Sequence, residues 1–396
     1  MSRRDDWVAC VGPIAFPWGE PGSRRVFGLV ASLAAAGRNV VVASGDPGPR
    51  LPVPLHVDGA GSVCHVGLGE APPSGAGPLR ASARMFLTWG RRTVRWLDEQ
   101  PTKPSHVLLH GGQAQYAHRL LRWCHRNGVP LVADVVDWYN GRYVRGGVLG
   151  PLNISMQTAL RHHYPRCDAV IAISSLLERH YLSRVGAVIR IPPTTDVQHT
   201  PVGPPRTCRG PALTLVYAGS PGRNNKDLLA TVMTAVGKAN SADVRVELRI
   251  IGPSADEVRS MAGGPVPEGV RVMGRMAQRQ VPAALREADF TVLLRRPERA
   301  SDAGFSTKFC ESLANGVPVL ANLTSDMGSY LRDGVEGLVC PDYSVTGLMR
   351  TVQRAARLTD RDLTMMRLAA REQALKSFDY RMYADSLDAF FDAVRR

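Results

Sequence analysis

Short apolar runs alternate with amphipathic stretches along almost the whole chain. In the first half the apolar runs cover residues 7–14, 38–44, 105–110, 129–136 and 168–173. In the second half they cover residues 212–218, 244–251, 269–273, 289–294 and 317–321. Strands that alternate with helices in this way predict parallel sheets covered by helices on both faces. We therefore expect an α/β protein with two Rossmann-like, doubly wound domains that face a central cleft.

A Pro-rich segment, residues 191–211, separates the two sets of apolar runs. Proline disfavours helix interiors and central strands, so this segment predicts a linker between domains at 1–200 and 201–379. A chain of 396 residues is also longer than one hydrophobic core usually serves. Residues 380–396 predict a helix that packs back on the first domain. The apolar face of this helix comprises Met382, Leu387, Phe390, Phe391 and Val394.

Composition excludes several classes of protein. No apolar run reaches the roughly 18 residues that span a bilayer, and the first residues lack the apolar core of a signal peptide, so a cytoplasmic protein is expected. Seven cysteines without a C-x-x-C pair favour neither a disulfide framework nor a zinc site. The net charge of +14 is spread over both halves without a long basic tail. This favours small anionic ligands or an anionic surface over nucleic acid.

Glycines and cations follow the first strand of each predicted domain. The first loop, GPIAFPWGEPGSRRVFGLV, contains Gly22 just before a helix start. The loop of the second domain, YAGSPGRNNKDLLA, contains Gly219, Ser220, Arg223 and Lys226. Glycines let a backbone approach a ligand closely, and the N–H groups of a helix start attract phosphate. Both loops therefore predict phosphate binding, with an ordinary solvated turn as the alternative, and neither is a P-loop.

A third loop begins at Arg295 and leads to a helix that carries two charged residues. Ser306 caps the start of this helix, and Lys308 and Glu311 follow within it. A glutamate near a helix start complements the positive end of the helix dipole. In dinucleotide-binding folds an acidic side chain at a comparable place accepts both ribose hydroxyls. Both interpretations of Glu311 stay open from the residues alone.

Seven motifs in family order resemble those of the GT-B fold glycosyltransferases of family 4. The most specific is CESLANGVPVLAN at residues 310–322, which is similar to the family's EAxAxGxPV motif. The others are the glycine loop before SRRVFGLVASLAAAGRNVVV, VADVVDWY, DAVIAISSLL, IPPTTD, MGRM and LRDGVEGLVCPD. The resemblance covers nearly the whole chain. It implies a retaining transferase that uses a nucleoside-diphosphate sugar, UDP rather than GDP, without a cofactor or a metal.

The resemblance implies roles for individual residues of the second domain. Glu311 resembles the family's ribose-binding glutamate, and Lys226 resembles the lysine on the donor diphosphate. Gly274 and Arg275 resemble the turn that contacts the base. The family's usual arginine is displaced here, so Arg223 is expected to supply the second positive charge.

This chain departs from the family upstream of the ribose-binding position. The family's second glutamate is replaced by Ala303, and Asp302 lies one residue out of register. Either Asp302 takes that role, or backbone N–H groups hold the donor sugar. The residues that supply those N–H groups are Gly304, Phe305, Ser306 and Thr307. Arg295 or Arg296 and the helix start at 306–308 are expected to stabilise the leaving nucleoside diphosphate.

Two residues of the first domain are candidates for catalysis beside the reacting sugar. Asp137 follows a predicted strand, and His110 ends the neighbouring one. Related enzymes have a histidine or an acidic residue at such a place, which is why the resemblance favours both. The alternative is that His110 is a hydrogen-bonded residue of the core.

Residues 79–97 predict a basic amphipathic helix. Its apolar face comprises Met85, Phe86, Trp89, Thr93, Trp96 and Leu97, and its arginines are Arg80, Arg84, Arg91 and Arg95. Packing against the first sheet and contact with an anionic membrane surface are the two alternatives. Membrane contact favours a lipid-linked acceptor, and packing favours a small metabolite or a polysaccharide precursor.

Two other interpretations stay open beside the transferase. One is a catalytically silent nucleotide-binding scaffold, which Ala303 favours, and the other is a nucleic-acid-binding protein. A homodimer is a further alternative. The D-x-D sequence at Asp360-Arg361-Asp362 follows Thr359 and predicts a helix cap rather than a metal site.

Overall fold

The computed structural model describes residues 6–17, 19, 21–49, 51–70, 88–144, 146–202, 210, 212–221, 226–242 and 244–395. The chain divides into two compact units, Met1–Thr194 with Tyr380–Arg396 and Thr195–Asp379. Each of the ten predicted apolar runs overlaps a strand. Four further strands among the described residues were not predicted; they are Val53–Leu55, Ser62–Gly67, Ala187–Arg190 and Gly337–Val339.

The first unit is built around an eight-stranded sheet with the order β3-β4-β2-β1-β5-β6-β7-β8. All neighbouring strands are parallel except β3, which is antiparallel to β4. The strands are β1 Trp7–Val11, β2 Asn39–Ser44, β3 Val53–Leu55, β4 Ser62–Gly67, β5 His106–His110, β6 Leu131–Val135, β7 Ala169–Ala172 and β8 Ala187–Arg190. The strand order reverses between β1 and β5, and open α/β sheets bind ligands beyond the strand ends at such a switch point.

The helices of the first unit cover this sheet. Those in its described part are Pro21–Ala35, Arg91–Asp98, Ala114–Asn127, Pro151–Thr158, Ser175–Tyr181 and Ala384–Ala393, with short 3-10 or π turns at Gly141–Tyr143, Ala159–His163, Tyr164–Arg166 and Tyr380–Tyr383. Val30 and Leu33 pack with Val8, Leu108 and Val132 in the core.

The end of the chain completes the core of the first unit. Leu387, Phe391 and Val394 are buried in it, and Nε2 of His106 lies 2.9 Å from the carbonyl oxygen of Val394. Met382, predicted on the same face, is instead 57% exposed. That prediction was wrong because a 3-10 turn precedes the helix and breaks the helical register.

The predicted amphipathic helix is not continuous: Gly90 has a φ of 83° and a turn at Trp89 and Gly90 precedes the helix Arg91–Asp98, so that part of the prediction was wrong. The described residues of its apolar face pack inside the first unit. Trp89, Thr93 and Leu97 are buried, and Thr93 Oγ1 donates to Glu70 Oε2 at 2.6 Å. For these three residues, burial within the unit agrees with packing rather than with contact at a membrane surface. Trp96 is half-buried, and Met85, Phe86, Arg80 and Arg84 lie outside the described residues. No helix in the described part of the chain is long and apolar enough to cross a bilayer.

The second unit contains a six-stranded parallel sheet with the order β11-β10-β9-β12-β13-β14. The strands are β9 Leu213–Ala218, β10 Val246–Ile251, β11 Val270–Gly274, β12 Phe290–Leu293, β13 Val319–Ala321 and β14 Gly337–Val339. The α-helices in its described part are Leu229–Asn240, Ala255–Ala262, Val281–Arg286, Arg299–Ala303, Thr307–Ala314, Val345–Ala356 and Asp360–Ser377. The strand order reverses between β9 and β12, which is the switch point of this sheet.

The D-x-D sequence is a helix cap, as predicted. The Thr359 side chain accepts from the N–H of Asp362, and the Asp362 carboxylate accepts from the N–H of Thr359. This capping box begins the helix Asp360–Ser377.

Candidate active site

Three segments of the second unit meet beyond the carboxyl ends of β9 and β12. They are the loop after β9, the start of the loop after β12 and the helix Thr307–Ala314. Each contributes to a cluster around Asp227, which is 3% exposed. The cluster therefore lies at the switch point of the sheet, where folds of this kind bind ligands.

Asp227 forms ion pairs with two cations. Its Oδ1 accepts from Nε of Arg295 at 2.8 Å, and its Oδ2 accepts from Nζ of Lys308 at 2.5 Å. The hydroxyl of Tyr217 donates to Oδ2 at 2.8 Å. Nζ of Lys308 also donates to the carbonyl oxygen of Ser220 at 3.2 Å. One carboxylate thus joins side chains from β9, the loop after β12 and the helix.

Charges within the cluster shift the pKa values of its members. Burial alone would raise the pKa of Asp227, but the charges of Arg295 and Lys308 outweigh burial and hold this pKa well below its ordinary value. Burial lowers the pKa of the Lys308 ammonium, and the attraction of Asp227 opposes only part of that effect. Burial and the charge of Asp227 raise the pKa of the Tyr217 hydroxyl. With both cations protonated, the cluster carries one net positive charge.

Gly219 lets the Lys308 side chain pass close to the backbone. Its φ of 135° lies where residues with a side chain are strained. A Cβ at this position would lie 2.4 Å from Cε of Lys308. Only glycine therefore fits here without displacing the lysine.

Arg295 is held through its backbone and one side-chain nitrogen. Its N–H donates to Oδ1 of Asn322 at 2.8 Å, and Nδ2 of Asn322 donates back to its carbonyl oxygen at 2.7 Å. Nε is bonded to Asp227. Neither Nη1 nor Nη2 makes a hydrogen bond to any described residue, and the side chain is 15% exposed. The outer edge of the guanidinium can therefore bind an anion in a bidentate way.

A buried serine stands at the start of the helix Thr307–Ala314. Ser306 is 4% exposed, and its Oγ has no hydrogen-bond partner among the described residues. Phe305 packs against Phe309 and Phe378 and fixes this end of the helix. The first N–H groups of a helix lack partners within it and carry partial positive charge. A hydroxyl beside these groups suits an anionic ligand.

Ala303, where the sequence resemblance expects a second glutamate, has no polar side chain. Ala303 is completely buried. Its half-buried neighbour Asp302 accepts from the N–H of Ser325 at 3.1 Å through Oδ1. Asp302 thereby supports the loop after β13, where Ser325 has a φ of 56°. Gly304 is buried and Thr307 is half-buried.

The other predicted residues of the second unit are placed as follows. Lys226 directly precedes Asp227 and is half-buried, whereas Arg223 lies outside the described residues. Glu311 is half-buried, and its charge acts to raise the pKa of Lys308. The predicted base-contacting turn ends β11, two strands away from β9 in the sheet.

That turn combines an open backbone with an exposed cation. Gly274 has a φ of 67° and its carbonyl oxygen accepts from the N–H of Gly252 at 2.8 Å. Arg275 is exposed. The turn is thus fixed by its backbone, and its arginine side chain is available to solvent.

A second buried aspartate lies in the first unit, one strand away from its switch point. Asp134 of β6 is 1% exposed, and its Oδ2 accepts from Nδ1 of His110 at 2.6 Å. Its Oδ1 accepts from Nη2 of Arg25 at 2.8 Å. Nη1 of Arg25 donates to the carbonyl oxygens of Ile191 and Pro192 at 2.7 and 2.6 Å. These contacts hold the start of the Pro-rich segment in the first unit.

The ionised carboxylate determines the orientation of the imidazole. Burial alone would raise the pKa of Asp134, but Arg25 and His110 outweigh burial and hold it below its ordinary value of 3.8. Nδ1 of His110 therefore carries the shared proton, and Nε2 is the ring nitrogen on the side away from Asp134; His110 itself is only 4% exposed. A Cβ at Gly22 would lie 3.2 Å from Nε2, so the ring edge lies against the predicted glycine loop.

Sequence reasoning missed the residues that organise both clusters. These are Asp227, Tyr217 and Asn322 in the second unit and Arg25 in the first. Each lies in one of the sequence motifs described above. Its importance becomes visible only from the residue that it contacts in the folded protein. Asp137, which was predicted, is half-buried in the loop after β6. Among the described residues no three His, Cys, Asp or Glu side chains are grouped as metal ligands.

Two family models match consecutive parts of this chain. The model of glycosyltransferase family 4 matches residues 22–199, and the model of group 1 glycosyl transferases matches residues 212–357. A phosphatidyl-myo-inositol mannosyltransferase of Mycobacterium leprae (strain TN) is 26% identical over 242 residues. That match covers 60% of this chain and 62% of the relative, which is less than two thirds of the relative's length.

Solved structures with the same fold align over nearly the whole chain. The sucrose-phosphate synthase of Thermosynechococcus elongatus gives a TM-score of 0.70 at 15% identity and covers 98% of both chains. The Anabaena protein HepE, in complex with UDP and glucose, gives a TM-score of 0.65 at 13% identity, with 98% of this chain and 99% of HepE covered. At these identities the likeness is one of fold.

Proposed function

We propose that this chain, which belongs to the GT-B fold glycosyltransferases of the family 4 type, transfers a sugar from a UDP-sugar to an acceptor hydroxyl with retained anomeric configuration. Transfer from a nucleotide sugar is the activity of the family. The base, the stereochemistry and the acceptor, which is a small metabolite or a polysaccharide or lipid-linked precursor, are the proposed parts. No metal takes part in the proposed reaction.

One observation carries the proposal. In the second unit a helix N-terminus, with a buried serine hydroxyl that has no hydrogen-bond partner among the described residues, belongs to the same cluster at the switch point as Arg295. Ser306 is two residues before Lys308, which shares Asp227 with that arginine. This combination of N–H donors and positive charge suits the diphosphate of a nucleotide sugar. Glu311, on the next turn of the same helix, is assigned to the ribose hydroxyls.

The chemical step follows from where charge develops. The bond between the anomeric carbon and the leaving diphosphate oxygen breaks while the acceptor oxygen bonds to that carbon. Negative charge grows on the nucleoside diphosphate, and Arg295, Lys226 and the helix N–H groups stabilise it. Each such preorganised donor typically contributes about 100- to 1000-fold to the rate. The acceptor proton passes to the leaving diphosphate.

We assign acceptor binding to the first unit. His110 presents Nε2 beside Gly22, while Asp134 holds the opposite ring nitrogen. An imidazole nitrogen fixed in this way can accept a hydrogen bond from a sugar hydroxyl. The half-buried Asp137 is the second polar candidate on this unit.

Binding of nucleoside diphosphates tests the donor site. UDP at about 100 times its dissociation constant is expected to stabilise the protein by roughly 2.7 kcal/mol, with smaller shifts for GDP and ADP at the same concentration. Glu311→Gln is expected to remove most of the UDP shift, because the ribose loses a charged acceptor. Glu372→Gln is the matched control, since Glu372 pairs with Lys376 on the surface of another helix. Equal shifts for all three nucleotides, or an unchanged shift in Glu311→Gln, would overturn the assignment.

The stereochemical part has its own test. Proton NMR of the first product formed from an α-linked UDP-sugar is expected to show the α anomer. A β product would contradict the proposed retention and leave the donor-site assignment intact.

A further inference from the structure

Asp227 places a negative charge at a site that is assigned to an anion. The carboxylate is ionised, because Arg295 and Lys308 lower its pKa. On electrostatic grounds alone it weakens diphosphate binding, since it cancels one of the two neighbouring positive charges. A buried carboxylate at this place therefore needs a different explanation from ligand attraction.

The contacts of Asp227 show which atoms it orders. It bonds Nε of Arg295, the one nitrogen that is not on the outer edge of the guanidinium. Asp227 also accepts a hydrogen bond from Nζ of Lys308. The same Nζ donates to the carbonyl oxygen of Ser220 and lies 5.2 Å from the ring centre of Tyr217. Lys308 is thus committed to the protein, while Nη1 and Nη2 of Arg295 have no hydrogen bond to any described residue.

The carboxylate itself is held in place. Asp227 is 3% exposed, and the Tyr217 hydroxyl donates to the same oxygen as Lys308 does. Gly219 has no side chain to displace the lysine from this position. The orientation of the arginine edge therefore follows from a rigid, fully packed group rather than from the ligand.

We propose that Asp227 is a positioning residue of the transferase reaction, which orients the Nη1 and Nη2 edge of Arg295 towards the leaving diphosphate and neutralises the repulsion between Arg295 and Lys308. This inference rests on the proposed function of the second unit. Its benefit lies in the transition state, where preorganised donors matter most, and its cost lies in ground-state affinity. Asp227 therefore raises kcat without tightening donor binding.

The test compares Asp227→Asn with Asp289→Asn in the full-length protein. Asp289 is also a buried aspartate, but it accepts from the N–H of Thr214 at the opposite end of the same strands. In Asp227→Asn, kcat is expected to fall about 100-fold, the cost of a misplaced donor, while KM for the UDP-sugar and Kd for UDP do not rise, because a negative charge near the diphosphate is removed. Asp289→Asn is expected to lower Tm and to leave kcat of the folded protein unchanged.

A double-mutant cycle identifies the residue through which Asp227 acts. If Asp227 acts through Arg295, then Asp227→Asn added to Arg295→Gln lowers kcat less than about 3-fold further. Should Asp227→Asn fail to fold, Asp227→Glu decides, because it keeps the charge and moves the carboxylate by one methylene. A lowered kcat in Asp227→Glu supports the inference, and an unchanged kcat overturns it. In the double-mutant cycle, independent, multiplying effects of Asp227→Asn and Arg295→Gln on kcat also overturn it.

The outcome separates this inference from the proposed function. If Arg295→Gln and Glu311→Gln bind UDP and turn over like the wild-type protein, the donor site itself is wrongly assigned. If these two variants are impaired while Asp227→Asn keeps its kcat, only the positioning role is wrong.

Discussion

Each unit has a buried aspartate–arginine pair near the point where the strand order of its sheet reverses, and the two aspartates bind their arginines differently. In the first unit Asp134 accepts hydrogen bonds from Nε and Nη2 of Arg25, and Nη1 donates to backbone carbonyl oxygens. In the second unit Asp227 takes only Nε of Arg295. The Arg25 side chain is 3% exposed and that of Arg295 is 15% exposed.

The difference indicates two uses of a buried aspartate–arginine pair. In the first unit the Arg25 side chain donates hydrogen bonds within the protein. It therefore stabilises Asp134, which binds His110, and the backbone near Ile191. The arginine of the second unit keeps an edge for a ligand. Changes in the first cluster should therefore be seen mainly in stability, and changes in the second mainly in turnover. Three substitutions can break or sharpen this contrast.

Asp134→Asn is expected to have the largest effect, and on stability. It leaves Arg25 buried without its counter-charge, which typically costs about 3–5 kcal/mol. Urea unfolding at pH 7 measures this loss. Asp392→Asn is the control, because Asp392 is 47% exposed in its pair with Arg38 and such pairs contribute about 1 kcal/mol or less. A cost at Asp134 no larger than at Asp392 would contradict the structural role of this cluster.

The pH dependence of that loss follows from the lowered pKa of Asp134. A carboxyl whose pKa is lower in the folded state contributes its full stability above its ordinary value of 3.8. The difference between the wild-type protein and Asp134→Asn is therefore expected to stay constant from pH 7 to about pH 5. It should shrink as the pH falls below 3.8 and vanish once the pH passes below the folded pKa. A difference that grows in acid would contradict this assignment.

Arg295→Gln is expected to act on turnover. Loss of one preorganised donor to the leaving group typically lowers kcat by about 100- to 1000-fold. Arg296, the alternative that the sequence left open for this role, is exposed and is not one of the cations bonded to Asp227. Arg296→Gln is therefore expected to stay within about 3-fold of the wild-type kcat. Steady-state kinetics with a UDP-sugar distinguish the two. Similar losses in both variants would show that general positive charge, rather than the oriented edge, matters.

Gly219→Ala is expected to have the smallest effect of the three. It combines an unfavourable φ with a contact at 2.4 Å to Cε of Lys308. Gly263→Ala is the control, since Gly263 has a φ of 71° and open space around it. Strained backbone alone costs about 1–3 kcal/mol, so Gly219→Ala should exceed Gly263→Ala in thermal unfolding and should also weaken UDP binding. Equal effects would show that displacement of Lys308 is unimportant.

Periodicity along the sequence was sufficient to predict the two sheets. Each long apolar run became a strand because a strand between helices is buried on both faces and needs continuous apolar residues. Two of the four missed strands, β3 and β14, lack that signature. Val53–Leu55 is largely exposed and contains Pro54, and Gly337–Val339 has only three residues. Exposed or very short strands form because they pair with a neighbouring strand. The pattern of apolar residues within the segment itself does not predict that pairing.

The site divides in the same way. Motifs that are local in sequence predicted the helix start at Ser306, the glycine loops and the candidates His110 and Glu311. The sequence by itself did not single out Asp227 or Arg25, because their importance lies in partners 68 to 109 residues away. Whether a buried charge is satisfied depends on which atoms come within hydrogen-bond distance. Only the packing of the strands brings those atoms together.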